Sequence, residues 1–413
     1  MTRVTLVVNR LDAPSETFQR SLASILAGGG HAVTVHALET GRVSDDVVEG
    51  VALSQGLAPL GVGPMTRMIG PVIRSSDRAM AVALRRARAR FGTGSRALMA
   101  ALVAGPILRS RPDVVHLGFS GIGVGIRDAL ALLDGVTVVA SCRGTDELVH
   151  PLLDPHRADA LAELLHAVDR VHVVADVVGD AVIALGADPS RIRVIRPAVD
   201  LDRWTPRHPL AEVDRRPVHL IAVSRLAAAK AHGDLLAALA IIRAGGVDAR
   251  LTIVGEGPER DVLRLRSARA GLGDAVSLPG AQRPGEVRAL MSDADLFVSA
   301  SLSEGISNGV LEAMALQVPV VATEVGGMAE AITAGVCGWL VPPSRPDLLA
   351  AAVISALADP AGLAAVGAAG RARVVEAFGL DRQRAEWLGF YAELPVRSAD
   401  LVCRNVRPRE GTD

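Results

Sequence analysis

Short apolar runs alternate with helix-patterned segments along almost the whole chain, and this alternation restricts the fold more than any other feature. In the first half, Val4–Val8, Ala32–His36, Val114–Leu117, Val136–Ala140, Arg170–Val174 and Ile192–Ile195 read as strands. In the second half, Val218–Val223, Arg250–Val254, Val276–Leu278, Leu296–Ala300 and Val318–Thr323 do the same. The stretches Gly233–Arg243, Arg260–Ala270 and Gly309–Leu316 between them carry helical spacing. Strand and helix in turn is the pattern of βαβ units around parallel sheets.

The alternation breaks once, at Arg196–Pro217, where Pro197, Pro206, Pro209 and Pro217 interrupt both periodicities. A chain of 413 residues holds two or three domains at roughly 150 residues each. Half of it is apolar, enough for each domain to bury its own core. The expected organisation is an α/β chain with a Rossmann-like domain over 1–200, a linker over 201–217 and a second Rossmann-like domain over 218–378. A helix over 379–396 is expected to pack back on the first domain, before a polar tail over 397–413. Two such domains would face each other across a cleft. In open parallel sheets ligands sit at the carboxyl ends of the strands.

Charge and cysteine content remove several classes. With 44 basic and 45 acidic residues the formal charge is −1, which argues against nucleic acid as a partner. Aromatic residues are 2% of the chain, too few for a base-stacking platform. Cys142, Cys337 and Cys403 lie far apart, with neither a disulfide framework nor zinc spacing. No charged segment followed by an apolar one opens the chain. The longest apolar run, Ala97–Leu108, falls short of the roughly 18–20 residues of a membrane span. A cytoplasmic protein is expected.

Three segments of the second half suggest chemistry. Ser301-Leu302-Ser303-Glu304-Gly305-Ile306-Ser307-Asn308 leads into a helix, and amides at a helix start suit a phosphate. Glu312, one turn into that helix, suits ribose hydroxyls, and Glu304 suits hydroxyls of a sugar. A capping loop with two solvated glutamates is the plain alternative. In Ser224–Gly233, Arg225 and Lys230 could clamp a diphosphate from two sides and stabilise charge on a leaving nucleotide. Two ordinary surface cations are the alternative. Lys230 is the only lysine beside 43 arginines. Gly255, in Val254-Gly255-Glu256-Gly257-Pro258, serves equally well as a turn or a ligand contact.

From about Pro217 to Pro360 the chain resembles the GT4 glycosyltransferases of GT-B fold. The resemblance is carried by Val223-Ser224-Arg225-Leu226 with Lys230, Ile253–Arg260, Asp293-Ala294-Asp295 and Ser303-Glu304-Gly305. It continues through Leu311–Ala315, Pro319–Thr323, Gly326-Gly327 and Gly338–Pro343. Glu304 and Glu312 form the E-x7-E pair of that family. The resemblance implies that Arg225 and Lys230 bind the donor diphosphate and Glu312 the ribose. It implies that Glu304 contacts the donor sugar, with Gly305 and the amides of Ile306, Ser307 and Asn308 beside it. It also implies transfer with retention and without a metal or other cofactor, and the sequence has no metal-ligand cluster.

The first half matches less. Ser15-Glu16-Thr17-Phe18 resembles a subgroup that builds exopolysaccharides. Relatives often carry His-Gly-x-Asp where this chain has Arg143-Gly144-Thr145-Asp146. Arg143 cannot act as a base near neutral pH, but could contact a donor phosphate or an anionic acceptor. Asp146 either orients an acceptor hydroxyl or caps a helix. His116 is a cleft candidate or a hydrogen-bonded structural histidine. Between Arg67 and Arg111 ten arginines accompany one acid, Asp77. Such a segment suits an anionic membrane, a phosphorylated acceptor or plain solvation.

The expected activity is transfer of a sugar from a nucleotide-sugar donor to an acceptor hydroxyl, on a glycan lipid intermediate or a small-molecule glycoside. A nucleotide-sugar epimerase of the same fold and a catalytically silent sugar-nucleotide-binding protein are the alternatives.

Overall fold

A computed structural model describes residues 1–10, 17–39, 51–55, 78–206 and 217–395. Most of the linker, the tail with Cys403, the Arg67–Asp77 part of the basic segment and residues 11–16 lie outside the described residues.

The chain forms two compact units. One comprises Met1–Val173, Ala181–Arg193 and Ala385–Asp413; the other comprises Val174–Asp180 and Val194–Arg384. The first unit holds β1 (Arg3–Val8), β2 (Ala32–Ala37), β3 (Val51–Gln55), β4 (Val114–Leu117), β5 (Thr137–Cys142), β6 (Arg170–Val173) and β7 (Ile192–Val194). These make one seven-stranded sheet in the order β3-β2-β1-β4-β5-β6-β7. The second unit holds β8 (Val218–Val223), β9 (Ala249–Val254), β10 (Val276–Gly280), β11 (Leu296–Ser299), β12 (Val320–Thr323) and β13 (Trp339–Val341). Their order is β10-β9-β8-β11-β12-β13. Neighbouring strands run parallel, with β1 set between β2 and β4 through Val4↔Val33 and Val4↔Val114. Both sheets are Rossmann-like: the order reverses beside the first strand of each unit, and among the described residues helices join most successive strands.

The central strands are mostly apolar and buried, β4 and β5 along their whole length, because helices cover both faces. In the second unit Leu220, Leu226, Leu239, Ile253 and Val298 form one core with Leu349 and Val353. Each fully buried side chain of this kind contributes about 1.5–3 kcal/mol. The helices Pro346–Leu357 and Pro360–Ala377, which carry part of that core, meet at an angle of 105°. Among the described residues no single helix is long and apolar enough to cross a membrane.

One device anchors both sheets. Asp113, just before β4, accepts from the Arg3 amide at 2.8 Å. Asp295, just before β11, accepts from the His219 amide at 2.7 Å. Each carboxylate ties the start of its own strand to the start of the unit's first strand. The Asp113 carboxyl lies below the usual range, first through the Arg3 side-chain hydrogen bond.

Candidate functional site

In the second unit the segments singled out by sequence meet at the carboxyl edge of the sheet. Arg225 follows β8 by two residues and is exposed. Lys230 ends the short 3-10 turn Ala228–Lys230. Its Nζ donates to Glu304 Oε1 at 2.6 Å. Ser301 Oγ donates to the same oxygen at 2.8 Å. Both loops are joined through their backbones as well, Leu302 N to Ala229 O at 2.8 Å. Thr323 Oγ1, at the end of β12, donates to Ser301 O at 2.6 Å. The lysine and Glu304 side chains keep only 19% and 12% of their surface. A pair this dry holds its geometry better than an exposed one.

His232 opens the helix His232–Ala244 right after the lysine turn. Its Nε2 meets Ser224 Oγ at 2.9 Å. Burial, and then the Lys230 charge, lower its pKa to about 4, so the imidazole is neutral at pH 7. Between them Ala231 takes a left-handed conformation, φ 43° and ψ 42°.

Three glycines let the site's backbones approach. Gly255 has φ 145°, and a Cβ there would lie 1.9 Å from Ser224 O. This close approach accounts for Gly255 beside the Arg225 loop. Gly326 has φ 53°, and its Cβ would lie 1.7 Å from Glu304 O. Gly327 N donates to Gly305 O at 2.7 Å, which locks the Gly326-Gly327 turn beneath the Glu304 loop.

The helix Asn308–Ala315 starts after Ser307. The first amides of any helix lack partners within it. Ile306 is buried, and Asn308 is exposed at that start. Glu312 lies one turn further on. Burial raises its pKa to about 7, against a smaller opposing pull from Arg203. Sequence reading missed Glu330, which accepts from Val177 N at 3.2 Å and Arg196 Nε at 2.9 Å. It ties Val174–Asp180 and Arg196 into this unit.

In the first unit, Arg143 follows β5 and lies over the Phe18 ring, 3.3 Å from its centroid. Asp146 does not cap its own helix, Thr145–Leu148, which starts after Gly144. Its oxygens accept instead from His150 Nδ1 at 2.9 Å, Arg157 Nη2 at 3.2 Å and Gly121 N at 3.2 Å. Glu147, not singled out by sequence, is buried beside it. It accepts from Ser120 Oγ at 2.5 Å, Gly144 N at 2.8 Å and Arg143 N at 3.1 Å. It thereby fixes the backbone that carries Arg143 and Asp146. Burial raises its pKa despite these bonds.

His116 fits the structural alternative. It is 1% exposed, with Nδ1 on Tyr391 Oη at 2.7 Å and Nε2 on Ser141 Oγ at 2.8 Å. Ser141 Oγ continues to His172 Nδ1 at 2.8 Å. Burial, and then the Arg143 charge, lower the His116 pKa to about 3. Tyr391 lies on the helix Leu380–Ala392, so the chain of bonds keys that helix to β4, β5 and β6.

Comparison with known proteins fits this geometry. Residues 204–373 match the family model "Glycosyl transferases group 1". Residues 15–203 match "Glycosyltransferase Family 4". The chain is 30% identical over 273 residues to the putative colanic acid biosynthesis glycosyltransferase WcaL of Salmonella typhimurium. That match covers 63% of this chain and 66% of the relative's length. It is 29% identical to the amylovoran biosynthesis glycosyltransferase AmsK of Erwinia amylovora, covering 70% and 72%. Among solved structures, Anabaena Alr3699/HepE in complex with UDP and glucose superposes with a TM-score of 0.72. It is 16% identical, with 95% of this chain and 100% of that one covered, a likeness of fold.

Proposed function

Because the chain belongs to the family 4 glycosyltransferases of GT-B fold, we propose that it moves a sugar from a nucleotide-sugar donor to an acceptor hydroxyl, with retention at the anomeric carbon. The observation that carries this reading is the Lys230–Glu304 pair, built from two loops at the carboxyl edge of the second sheet. A cation for the diphosphate and a carboxylate for the sugar lie side by side there.

In this reading the second unit holds the donor. Arg225 and Lys230 bind the diphosphate, and Glu312 accepts from the ribose. Glu304 accepts from the sugar, with Gly305 and the amides of Ile306, Ser307 and Asn308 beside it. The acceptor oxygen bonds to the anomeric carbon as the bond from that carbon to the diphosphate breaks. The acceptor proton passes to a phosphate oxygen on the same face, and no metal takes part. Lys230, Arg225 and the helix-start amides stabilise the charge as it builds.

The first unit presents the acceptor, with Arg143 and Asp146 at its edge. A glycan intermediate of polysaccharide assembly is the acceptor class supported by the WcaL and AmsK likeness. The reading places the chain in the cytoplasm, peripheral on an anionic membrane through its basic segment. The test is consumption of UDP-, GDP-, ADP- and dTDP-sugars with and without glycan acceptors. A transferase consumes donor to an extent set by acceptor; consumption independent of acceptor, or none, contradicts the reading.

A further inference from the structure

One stretch of chain belongs to the second unit while its neighbours in sequence belong to the first. Val174–Asp180 lies in the second unit, with Val173 before it and Ala181–Arg193 after it in the first. Val174 and Ala175 are buried. A stretch flanked in this way stays in place only through the bonds that hold it.

Glu330 is the centre of those bonds. It lies on the short helix Met328–Ala331, which starts directly after Gly327. Its Oε1 accepts from Val177 N at 3.2 Å. Its Oε2 accepts from Arg196 Nε at 2.9 Å and lies 2.7 Å from Arg196 Nη2. Arg196 Nη2 also donates to Asp176 Oδ2 at 2.5 Å. One carboxylate thus holds the stretch by its backbone, and one guanidinium spans that carboxylate and Asp176. Both residues are fixed through their own carbonyls. Arg196 O accepts from Gln383 Nε2 at 2.9 Å and Arg382 Nη2 at 3.2 Å. Glu330 O accepts from Arg373 Nη2 at 2.9 Å. Asp176 is 62% exposed, so its own pair contributes little. Glu330 is 19% exposed, and its bonds to an amide and a guanidinium are charge-assisted.

The stretch held by Glu330 backs the loop that carries Glu304. A Cβ at Gly327 would lie 2.7 Å from the Ala175 Cβ, 2.5 Å from Gly305 O and 2.9 Å from Ile306 Cγ1. Ala175, Gly327, Gly305 and Ile306 therefore meet with no spare room, and Gly327 N is bonded to Gly305 O. Close packing of this kind passes a shift from one neighbour to the next. Without Ala175 behind it, the Gly326-Gly327 turn loses its support, and the Glu304 loop rests on that turn.

We propose that Glu330 is a positioning residue of the donor site: with Arg196 it holds Ala175 against Gly327 and thereby fixes the loop that presents Glu304 to the donor sugar. The inference rests on the nucleotide-sugar reading above and adds the side chain that sets this loop from outside the site. Its effect is selective. Glu330 acts on the loop assigned to the sugar and not on Arg225, Lys230 or Glu312, so its loss weakens the hold on the sugar and spares the nucleoside diphosphate.

The test is calorimetric titration of the full chain with UDP-, GDP-, ADP- and dTDP-sugars, and with the nucleoside diphosphate that matches the donor bound. Glu330→Ala and Arg196→Ala should each weaken the sugar nucleotide at least about tenfold and the bare diphosphate less than about threefold. Glu330→Gln, which keeps an acceptor for Val177 N, should recover part of the loss. The double variant should lose no more than Glu330→Ala, because members of one network are not additive. Equal weakening of both ligands, or wild-type affinity for both, overturns the inference and leaves the donor reading standing. Failure of both single variants to fold overturns it as well, since the network then holds the unit and not the site. Absence of binding between the wild-type chain and every donor overturns the reading itself, and the inference with it.

Discussion

Lys230 Nζ lies 2.6 Å from Glu304 Oε1, across 74 positions of sequence, and Ser301 Oγ donates to the same oxygen. The side chains assigned to the diphosphate and to the sugar hold each other before any donor arrives. In the proposed reading, donor phosphates would compete with Glu304 for the ammonium and free the carboxylate for sugar hydroxyls.

The lysine itself is testable in a chain that otherwise uses arginine. The ammonium is a compact point charge on a flexible stem and the guanidinium a rigid planar fork, so the two are not interchangeable beside Glu304. Lys230→Arg keeps the charge and should lower the transfer rate at least about tenfold, or about 1.4 kcal/mol of barrier. Steady-state rates of the purified variant check this, and an unimpaired enzyme contradicts it.

Glu312 should give donor binding a pH dependence near neutrality. Its pKa is raised to about 7, mainly by burial. Only the carboxylate accepts from both ribose hydroxyls, so UDP-glucose affinity should rise between pH 6 and pH 8. Glu312→Gln should flatten that profile. Stability moves the other way. A carboxyl raised in the folded state contributes fully below its unfolded pKa and loses that contribution as pH rises through about 7. Denaturation midpoints of the wild-type chain should therefore fall over that window more than those of Glu312→Gln. Parallel profiles for the two chains would remove Glu312 from the donor site.

Gly326→Ala should act on the site from beneath. The new Cβ would overlap Glu304 O, and φ is 53°. A non-glycine residue held there costs about 1–3 kcal/mol before the clash is counted. The loop must shift, so the variant should melt lower and lose donor affinity together. A variant with wild-type donor affinity would show that the turn does not set the Glu304 loop.

Tyr391→Phe should affect stability alone. It removes the hydrogen bond on buried His116 Nδ1, and an unsatisfied buried group costs about 1–3 kcal/mol. Donor affinity should be unchanged, because every group in that chain of bonds lies in the first unit. A loss of donor affinity without loss of stability would contradict the structural role of His116.

The central strands were legible because a covered parallel strand is a predominantly apolar run, as Val114–Leu117, interrupted only by His116, and Val320–Thr323 illustrate. The edge strands β3 and β13 were not. Val51–Gln55 ends in polar residues, and Trp339–Val341 is three residues long, so neither outweighs its surroundings. The donor-side residues were legible through motif order, since Lys230 and Glu304 sit in separate short segments of that pattern. Glu330 left no local signal: its partner Arg196 lies 134 positions away, and only the folded chain brings them together. Glu147 holds Gly144 N and Arg143 N in a local capping box that sequence reading passed over, and its bond to Ser120, 27 positions away, needs the fold. Gly255 was ambiguous because a turn and a close backbone approach call for the same residue.

The central claim is that the Lys230–Glu304 edge binds a nucleotide-sugar. Calorimetric titration of the wild-type chain, Lys230→Ala and Glu304→Ala with UDP-, GDP-, ADP- and dTDP-sugars tests it most directly. The account predicts that at least one donor binds the wild-type chain and that each variant binds it at least about tenfold more weakly, or about 1.4 kcal/mol. Equal affinity in wild type and both variants, or no binding of any donor, would contradict it.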